Sequence, residues 1–548
     1  FVRNIVASAD QTGTLLRREL GISSAQAETF AALASLLHAR ESYSAPLVRL
    51  EAQPTINALW RCGISGTYPV IILSVSGVTD LAVIKQMLTC HSYFRRKKIE
   101  ADIIILNNHA GGYLKTFEDE IDFLLRTQNH NNQQADTGRV VHIRAEQFGE
   151  VGCEALLAAS TVYIDARGGV FADLVRGLVR THPFKFPPRL NLSGSQKKVD
   201  LDTTFKKEAY TDISKLDFFN GIGGFDKTTD SYVISITPEI RPPAPWSNIV
   251  ANKDIGFVTT DKGLSFTWAR NSYDNKLTVA YNDPLSSDTS EAVYVRDEKS
   301  GEYWSPLPML GDSASRYEIR YGEGYSEYIT HQGGLRLRLR MHVAPKEPIK
   351  YFTLDIQNNT DIERVLAAFG YFELLMGSFP EETKKHIIFN IRKGNIIIAS
   401  QQYRNNFVDS RVFLGIAGGA DNYTVSKSEF IGRFGNVLAP AALSREGLSS
   451  DHESHGEPAV GFSRRVKLSP GENATIVFFM GESISEDALE YFLERSCDAK
   501  SAEYSFLKAK TYSNSVSKIS VELPDRELAL LCNRFLLHQT LASRIYAH

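Results

Sequence analysis

The densest set of side chains able to do chemistry lies in WARNSYDNKLTVAYND, residues 268–283. Trp268, Arg270, Asn271, Asn275, Tyr281, Asn282 and Asp283 stand in it, with Tyr273 among them. A pyranose offers hydroxyls around its rim and apolar CH patches on its faces. Asn, Asp and Arg meet hydroxyls as donors and acceptors. Trp and Tyr cover CH faces with large, rigid surfaces. Trp304 in YWSP and Tyr325 in GEGYSEY add aromatics beside tight turns. These nine named residues, Tyr273 aside, are the candidate carbohydrate ligands. A second reading stands beside the first: Asn and Asp as turn formers, Trp as core filler.

Hydrolysis of a glycosidic bond needs two carboxylates facing each other across it. DHESHGEP (451–458) and FPEETKKH (379–386) supply acids and histidines, but both read as loops with solvated charges. A metal site in the first is the weaker alternative to an exposed polar loop. No residue is assigned a catalytic or metal-binding role.

The elements that must position these residues fall into contrasting halves. Residues 1–60 read as a helical lead-in. From 61 to 182, PVIILSV, ADIIILNN, RVVHIRA and TVYIDA are short apolar runs, as expected of strands buried on both faces. Helical stretches alternate with them, one capped by Thr79 or Asp80, which predicts a parallel sheet in a three-layer α/β domain. NNHAGG and SVSGVTD lack the spacing of a phosphate-binding loop, so the layer reads as structural rather than nucleotide-binding. A Pro-, Ser- and Lys-rich stretch, 183–216, reads as a linker. From 217 to 485 the pattern turns to alternation and hairpins, predicting a large antiparallel β-sandwich. In LRLRLRMHV, Leu335, Leu337, Leu339, Met341 and Val343 share one face, and Arg336, Arg338, Arg340 and His342 the other. That basic ladder reads as a solvated face or a partner for cross-strand acids in preference to a phosphate site. Residues 486–548 read as helical.

Composition excludes several classes. Lys and Arg total 61 against 64 Asp and Glu, a formal charge of −3 without a long basic tract, so a nucleic-acid partner is not expected. FRRKK (94–98) sits at a helix C-terminus, where cations suit the dipole. The 5 cysteines form no CxxC pair, which fits a reducing compartment. No apolar run is long enough to span a bilayer, and no secretory signal is visible. The chain opens on Phe1, and the amphipathic helix begun by Pro524-Asp525 carries Leu528, Leu531, Phe535 and Leu536 on one face and stops at His548 without a cap. It is expected to be a segment of something larger.

GIGGFDKTTDSYVISI, the stretch PPAPWSNIV through GEYWSPLP, and FIGRFGNVLAPAAL resemble the β-supersandwich of glycoside hydrolase family ninety-four, the cellobiose-phosphorylase-type enzymes. ALWRCGISGTYPVIIL and QMLTCHSYFRRKKIEADIIILNNHAGGYL are similar to the region before that sandwich in bacterial cyclic β-1,2-glucan synthases. NRFLLHQTLASRIYAH resembles the linker helix leading to the family's (α/α)6 barrel. The resemblance implies an α+β multidomain chain: helical lead-in, parallel α/β layer, supersandwich, linker helix. It also implies that the general acid belongs to a barrel C-terminal to the chain, where inorganic phosphate is the nucleophile with inversion. The UDP-glucose-dependent transferase and its membrane spans would lie on the other side. The implied role is a non-catalytic segment without a cofactor of its own, binding β-1,2-glucan or scaffolding the barrel at the cytoplasmic side of the bacterial inner membrane. A second copy of the chain is a further candidate partner. Two alternatives stand: a free-standing nucleotide-sugar glycosyltransferase using the α/β layer, and one part of a split β-1,2-oligoglucan phosphorylase.

Overall fold

The computed structural model describes residues 2–38, 55–109, 116–130, 138–178, 186–191, 210–281, 283, 288–401, 406–451, 457–516 and 519–547. It forms two compact units, Phe1–Phe184 with Gln402–Val408, and Lys185–Gln401 with Asp409–His548.

The first unit is built on β1 (Val70–Val75), β2 (Asp102–Asn107), β3 (Val140–Arg144) and β4 (Val162–Asp165), all parallel in the order β3–β2–β1–β4. Every residue of β1 and β2 is buried, which explains their unbroken apolar runs. Helices cover both faces. Phe30, Leu33 and Leu37 of the helix Ser24–His38 share a core with Ile71, Met87 and Val175. Leu59 packs with Leu156 against the opposite face. The lead-in helices are therefore layers of this unit rather than a separate domain.

The second unit contains β5 (Gly223–Asp226), β6 (Ser231–Ile236), β7 (Ser247–Ala251), β8 (Ile255–Thr260), β9 (Ser265–Ala269), β10 (Lys276–Thr278), β11 (Glu291–Asp297) and β12 (Tyr303–Trp304). It continues through β13 (Tyr317–Gly322), β14 (Tyr325–Gln332), β15 (Leu335–Val343), β16 (Ile349–Asn358), β17 (Arg364–Gly377), β18 (Ile387–Arg392), β19 (Ile396–Gln401), β20 (Arg411–Ile416), β21 (Asn422–Ser426), β22 (Pro458–Leu468) and β23 (Asn473–Ser483). One sheet runs β18–β19–β20–β23–β16–β15–β14–β13–β6–β5; the other runs β12–β11–β17–β10–β9–β8–β7, with β22 and β21 joined to β17. Both are antiparallel. Ile234, Leu337 and Leu354 from one sheet meet Val293, Phe369 and Phe462 from the other in a single core. The period-2 pattern of β15 places Leu335, Leu337, Leu339 and Met341 inward.

The opposite face of β15 is only partly solvated. Arg338 stands across from Asp355 and donates to it at 2.6 Å, the expected cross-strand acid. Arg340 and His342 lie buried beneath the helix Ala499–Val516, where Arg340 pairs with Glu503. Parts of the expected linker also pack on the sandwich. Tyr210 Oη donates to the Arg316 carbonyl at 2.9 Å, and Arg189 bridges Arg445. Residues 192–209 lie outside the described set.

At the C-terminus, Asp525 accepts from the Glu527 and Leu528 amides, as its type and position predict. The helical segment continues to Ile545 through two π turns. Arg534 fastens it to Asp230 at 2.8 Å and to Glu323. The predicted apolar face divides: Phe535 meets Phe225 edge-on, whereas Leu528, Leu531 and Leu536 stay exposed.

Candidate functional site

The segment 268–283 ends β9, turns, and returns as β10. Trp268 is 2 % exposed, and a Cβ on Gly256 would come within 2.4 Å of its ring. It fills the core and offers no face to a sugar, so the stacking role expected for it is corrected. Arg270 adopts φ 61° at the start of the turn. Its Nε donates to Glu482 at 2.8 Å and its Nη2 at 2.9 Å, a bidentate fork, and Nη1 reaches Asp409 at 3.1 Å. Asn275, 1 % exposed, donates to the same Glu482 at 2.8 Å and to the Ala269 carbonyl. Ser410 also donates to Glu482. Asn271 accepts from the Tyr273 and Asp274 amides, closing an Asx turn. Asn275 and Arg270 thus fasten the hairpin to β23, because each buried polar group needs a partner, while Asn271 closes its turn. Tyr273 is raised to the tip, exposed, edge-on to Phe379.

A second cluster forms where β10 runs out. Tyr281 Oη donates to Glu373 at 2.9 Å. Glu373, on β17 and 1 % exposed, also accepts from Lys384 at 2.6 Å and Lys427 at 3.0 Å. Burial pushes the Glu373 carboxyl up, but the two ammonium groups outweigh it and hold the carboxyl below its usual range. Burial and then Glu373 push the Tyr281 phenol up, so it stays a neutral donor. A carboxylate held ionised between two lysines cannot protonate a leaving oxygen. The cluster can hold hydroxyls or an anion at its rim, where Lys427 remains partly exposed.

Asp283 is among the described residues, and Asn282 lies outside them. Trp304 and Tyr325 do not join this cluster. Trp304 covers Gly333, where a Cβ would come within 2.2 Å of the indole ring. Tyr325 is buried at 6 % exposure, edge-on to Phe506, which corrects its expected sugar-facing place. Glu373 and Glu482 are the organising residues that the sequence reading missed. Their signal is a lone acid inside an apolar strand, in GYFELLMG and FFMGES. Among the described residues no group of His, Cys, Asp and Glu is arranged to hold a metal.

In the α/β unit, the order β3–β2–β1–β4 places the topological switch between β1 and β4, where ligands of such sheets bind. Asp80, predicted as a helix cap, sits there instead. It is 1 % exposed and accepts from Ser76 N and Gly168 N, both at 2.7 Å. Its carboxylate holds the amides of the two loops that a phosphate would otherwise meet.

Residues 230–499 match the family model "Glycosyl hydrolase 94, supersandwich domain". The chain is 27 % identical over 97 % of its length to the cyclic beta-(1,2)-glucan synthase NdvB of Rhizobium meliloti, of which it covers 19 %. It is 23 % identical over 58 % of its length to the N,N'-diacetylchitobiose phosphorylase of Vibrio proteolyticus, covering 40 % of that enzyme. A solabiose phosphorylase of Paenibacillus borealis is 21 % identical over 59 % of the chain, which covers 42 % of it. The chain therefore spans about a fifth of the synthase and about two-fifths of the phosphorylases.

Proposed function

Residues 230–499 match the glycosyl hydrolase 94 supersandwich domain, and from that match we propose that this chain is a carbohydrate-handling, non-catalytic segment of a cyclic β-1,2-glucan synthase. Its role is to hold glucan, to brace the inverting phosphorylase barrel, or both. The observation that carries the reading is the reach of the alignments. Similarity to the synthase runs over 97 % of the chain and so includes the α/β unit, whereas the phosphorylases match only 58–59 %.

The chemistry of the acids supports a non-catalytic role. Glu291, Glu373 and Glu482 are each tied to a Lys or Arg inside the sandwich. Leu528, Leu531 and Leu536 present an apolar stripe suited to the helical barrel, in the same chain or supplied separately as in a split phosphorylase. Inorganic phosphate and UDP-glucose are then ligands of other parts of the synthase, and β-1,2-glucan is the ligand of this one. No helix among the described residues is long and apolar enough to cross a membrane. A place at the cytoplasmic face of the bacterial inner membrane would come from the parent protein.

Incubation of the purified chain with linear β-1,2-gluco-oligosaccharides and inorganic phosphate tests this. Glucose 1-phosphate is expected only after a polypeptide carrying the barrel is added. Release by the chain alone at an enzyme-like rate would refute the reading. UDP-glucose should leave the melting temperature of the α/β unit unchanged, because Asp80 already holds the loop amides. A saturable rise would favour the glycosyltransferase alternative.

A further inference from the structure

The outer face of the ten-stranded sheet carries a groove of about 610 Å³, within the usual range of ligand sites. Its floor is ordered by register. Three rungs cross from β15 through β16 to β23: Arg336–Gln357–Asn473, Arg338–Asp355–Thr475 and Arg340–Thr353–Val477. Successive rungs lie about 7 Å apart along the strands, and adjacent strands about 4.8 Å apart. The start of the helix Ala499–Val516, with Lys500 and Glu503, forms one wall.

Two polar atoms at the deep end lack partners. Thr353, 3 % exposed, leaves its buried Oγ1 unpaired, and Arg340, 5 % exposed, leaves its buried Nε unpaired. Both residues line the groove. Buried polar groups without partners are rare and call for an explanation such as a ligand.

From this geometry we infer that the groove is a saccharide-binding site, distinct from the 268–283 segment, taking a neutral, hydroxyl-rich oligosaccharide. Four cations line it, and two of them, Arg338 and Arg340, are already paired with carboxylates. Arg338 is paired with Asp355, which also accepts from Thr475 at 2.5 Å, and Arg340 is paired with Glu503. A polyanion would have to displace those carboxylates or lie against them. A neutral polyol suits both signs, because each hydroxyl accepts from guanidinium or amide N–H and donates to a carboxylate or amide oxygen. Gln357 and Asn473 at the open end supply both functions in one side chain. The Thr353 hydroxyl and the Arg340 Nε–H extend the same pattern inward.

The site rests on the carbohydrate-handling reading, and the test separates the two. Isothermal titration with linear β-1,2-gluco-oligosaccharides is made on the wild type and on Thr353→Val and Arg336→Ala, with inorganic phosphate as a competitor. The wild type is expected to bind, and each variant to bind about tenfold more weakly, the scale of one hydrogen-bonding group. Thr353→Val is expected to melt no lower than the wild type, since it removes an unpaired buried hydroxyl. A structural hydroxyl would give the opposite sign. Binding that both variants retain would overturn the groove and leave carbohydrate handling standing. No binding by the wild type would overturn both. Full displacement by phosphate would overturn the neutral-saccharide assignment.

Discussion

The ion pair at the centre of the sandwich permits a quantitative test. Lys350 Nζ is fully buried and lies 2.6 Å from Glu291 Oε2. It also donates to Ser265 and Thr267 at 3.1 Å, and sits over the rings of Phe257 and Phe352 at 4.0 and 4.4 Å. Glu291 accepts in addition from Thr267 at 2.5 Å and Thr278 at 2.9 Å. In Lys350→Met the carboxylate keeps two hydroxyl donors and loses its counter-charge, a change that costs about 3–5 kcal/mol when one partner of a buried pair is removed. In Glu291→Gln the stranded ammonium keeps its two aromatic faces, worth up to about 2 kcal/mol when desolvated, so that loss is smaller. The double variant buries no charge and should recover more than half of the larger loss. Urea titration, with hydrogen exchange on β9, β11 and β16 to isolate the sandwich, measures all three. The pH dependence has a defined sign. Without Lys350, burial raises the Glu291 pKa above its unfolded value, so the variant loses stability as pH rises through that folded pKa. In the wild type burial pushes Lys350 down to about 8, so its contribution to stability grows between pH 8 and the unfolded value of 10.5. Single losses that add within about 0.5 kcal/mol in the double variant would show that the two charges do not act as a pair, and would refute the reasoning.

Three further outcomes follow from the geometry. Trp268→Ala should cost about 3–5 kcal/mol of sandwich stability and leave oligosaccharide affinity unchanged, by urea titration and calorimetry. Affinity lost at full stability would restore Trp268 to a sugar-facing role. Asp525→Ala should loosen the start of the C-terminal helix by about 1 kcal/mol, seen as faster amide exchange at 527–530. Burial pushes His538 down to about 4, so the docked helix holds it neutral. The stabilisation it gives is complete above pH 6.5 and falls as pH drops toward 4; exchange at 536–545 that is flat over that window would contradict this.

The elements of this fold were legible because periodicity reports burial directly. β1 and β2 read as unbroken apolar runs and are buried throughout. β15 alternates, and its leucines face inward. The Asp525 cap followed from residue type. Asp80 did not. An acid before a helix reads as a cap, and only the return of β4 beside β1 brings Gly168 N to it, 88 residues away in sequence. The segment 268–283 failed for a related reason. Its composition is that of a sugar site, but composition cannot tell whether an amide is turned to solvent or to a buried acid 207 residues on.

The same limit explains why the basic ladder of LRLRLRMHV did not by itself announce the groove on the ten-stranded sheet. Its middle rung joins Arg338 to Asp355 across 17 residues and Asp355 to Thr475 across 120. Each residue alone is an ordinary outward position of an alternating strand. What makes a surface of them is antiparallel register, which sets donors and acceptors side by side at fixed spacing. The sandwich has placed its strongest charges in pairs: Lys350 with Glu291, Arg270 with Glu482, and Arg364 with Asp297. Such pairing ties up the charges that acid–base chemistry needs and favours ligands that ask for many weak hydrogen bonds. That is the property on which the proposed groove depends: a neutral glucan held by hydroxyl contacts to groups that are already charge-paired.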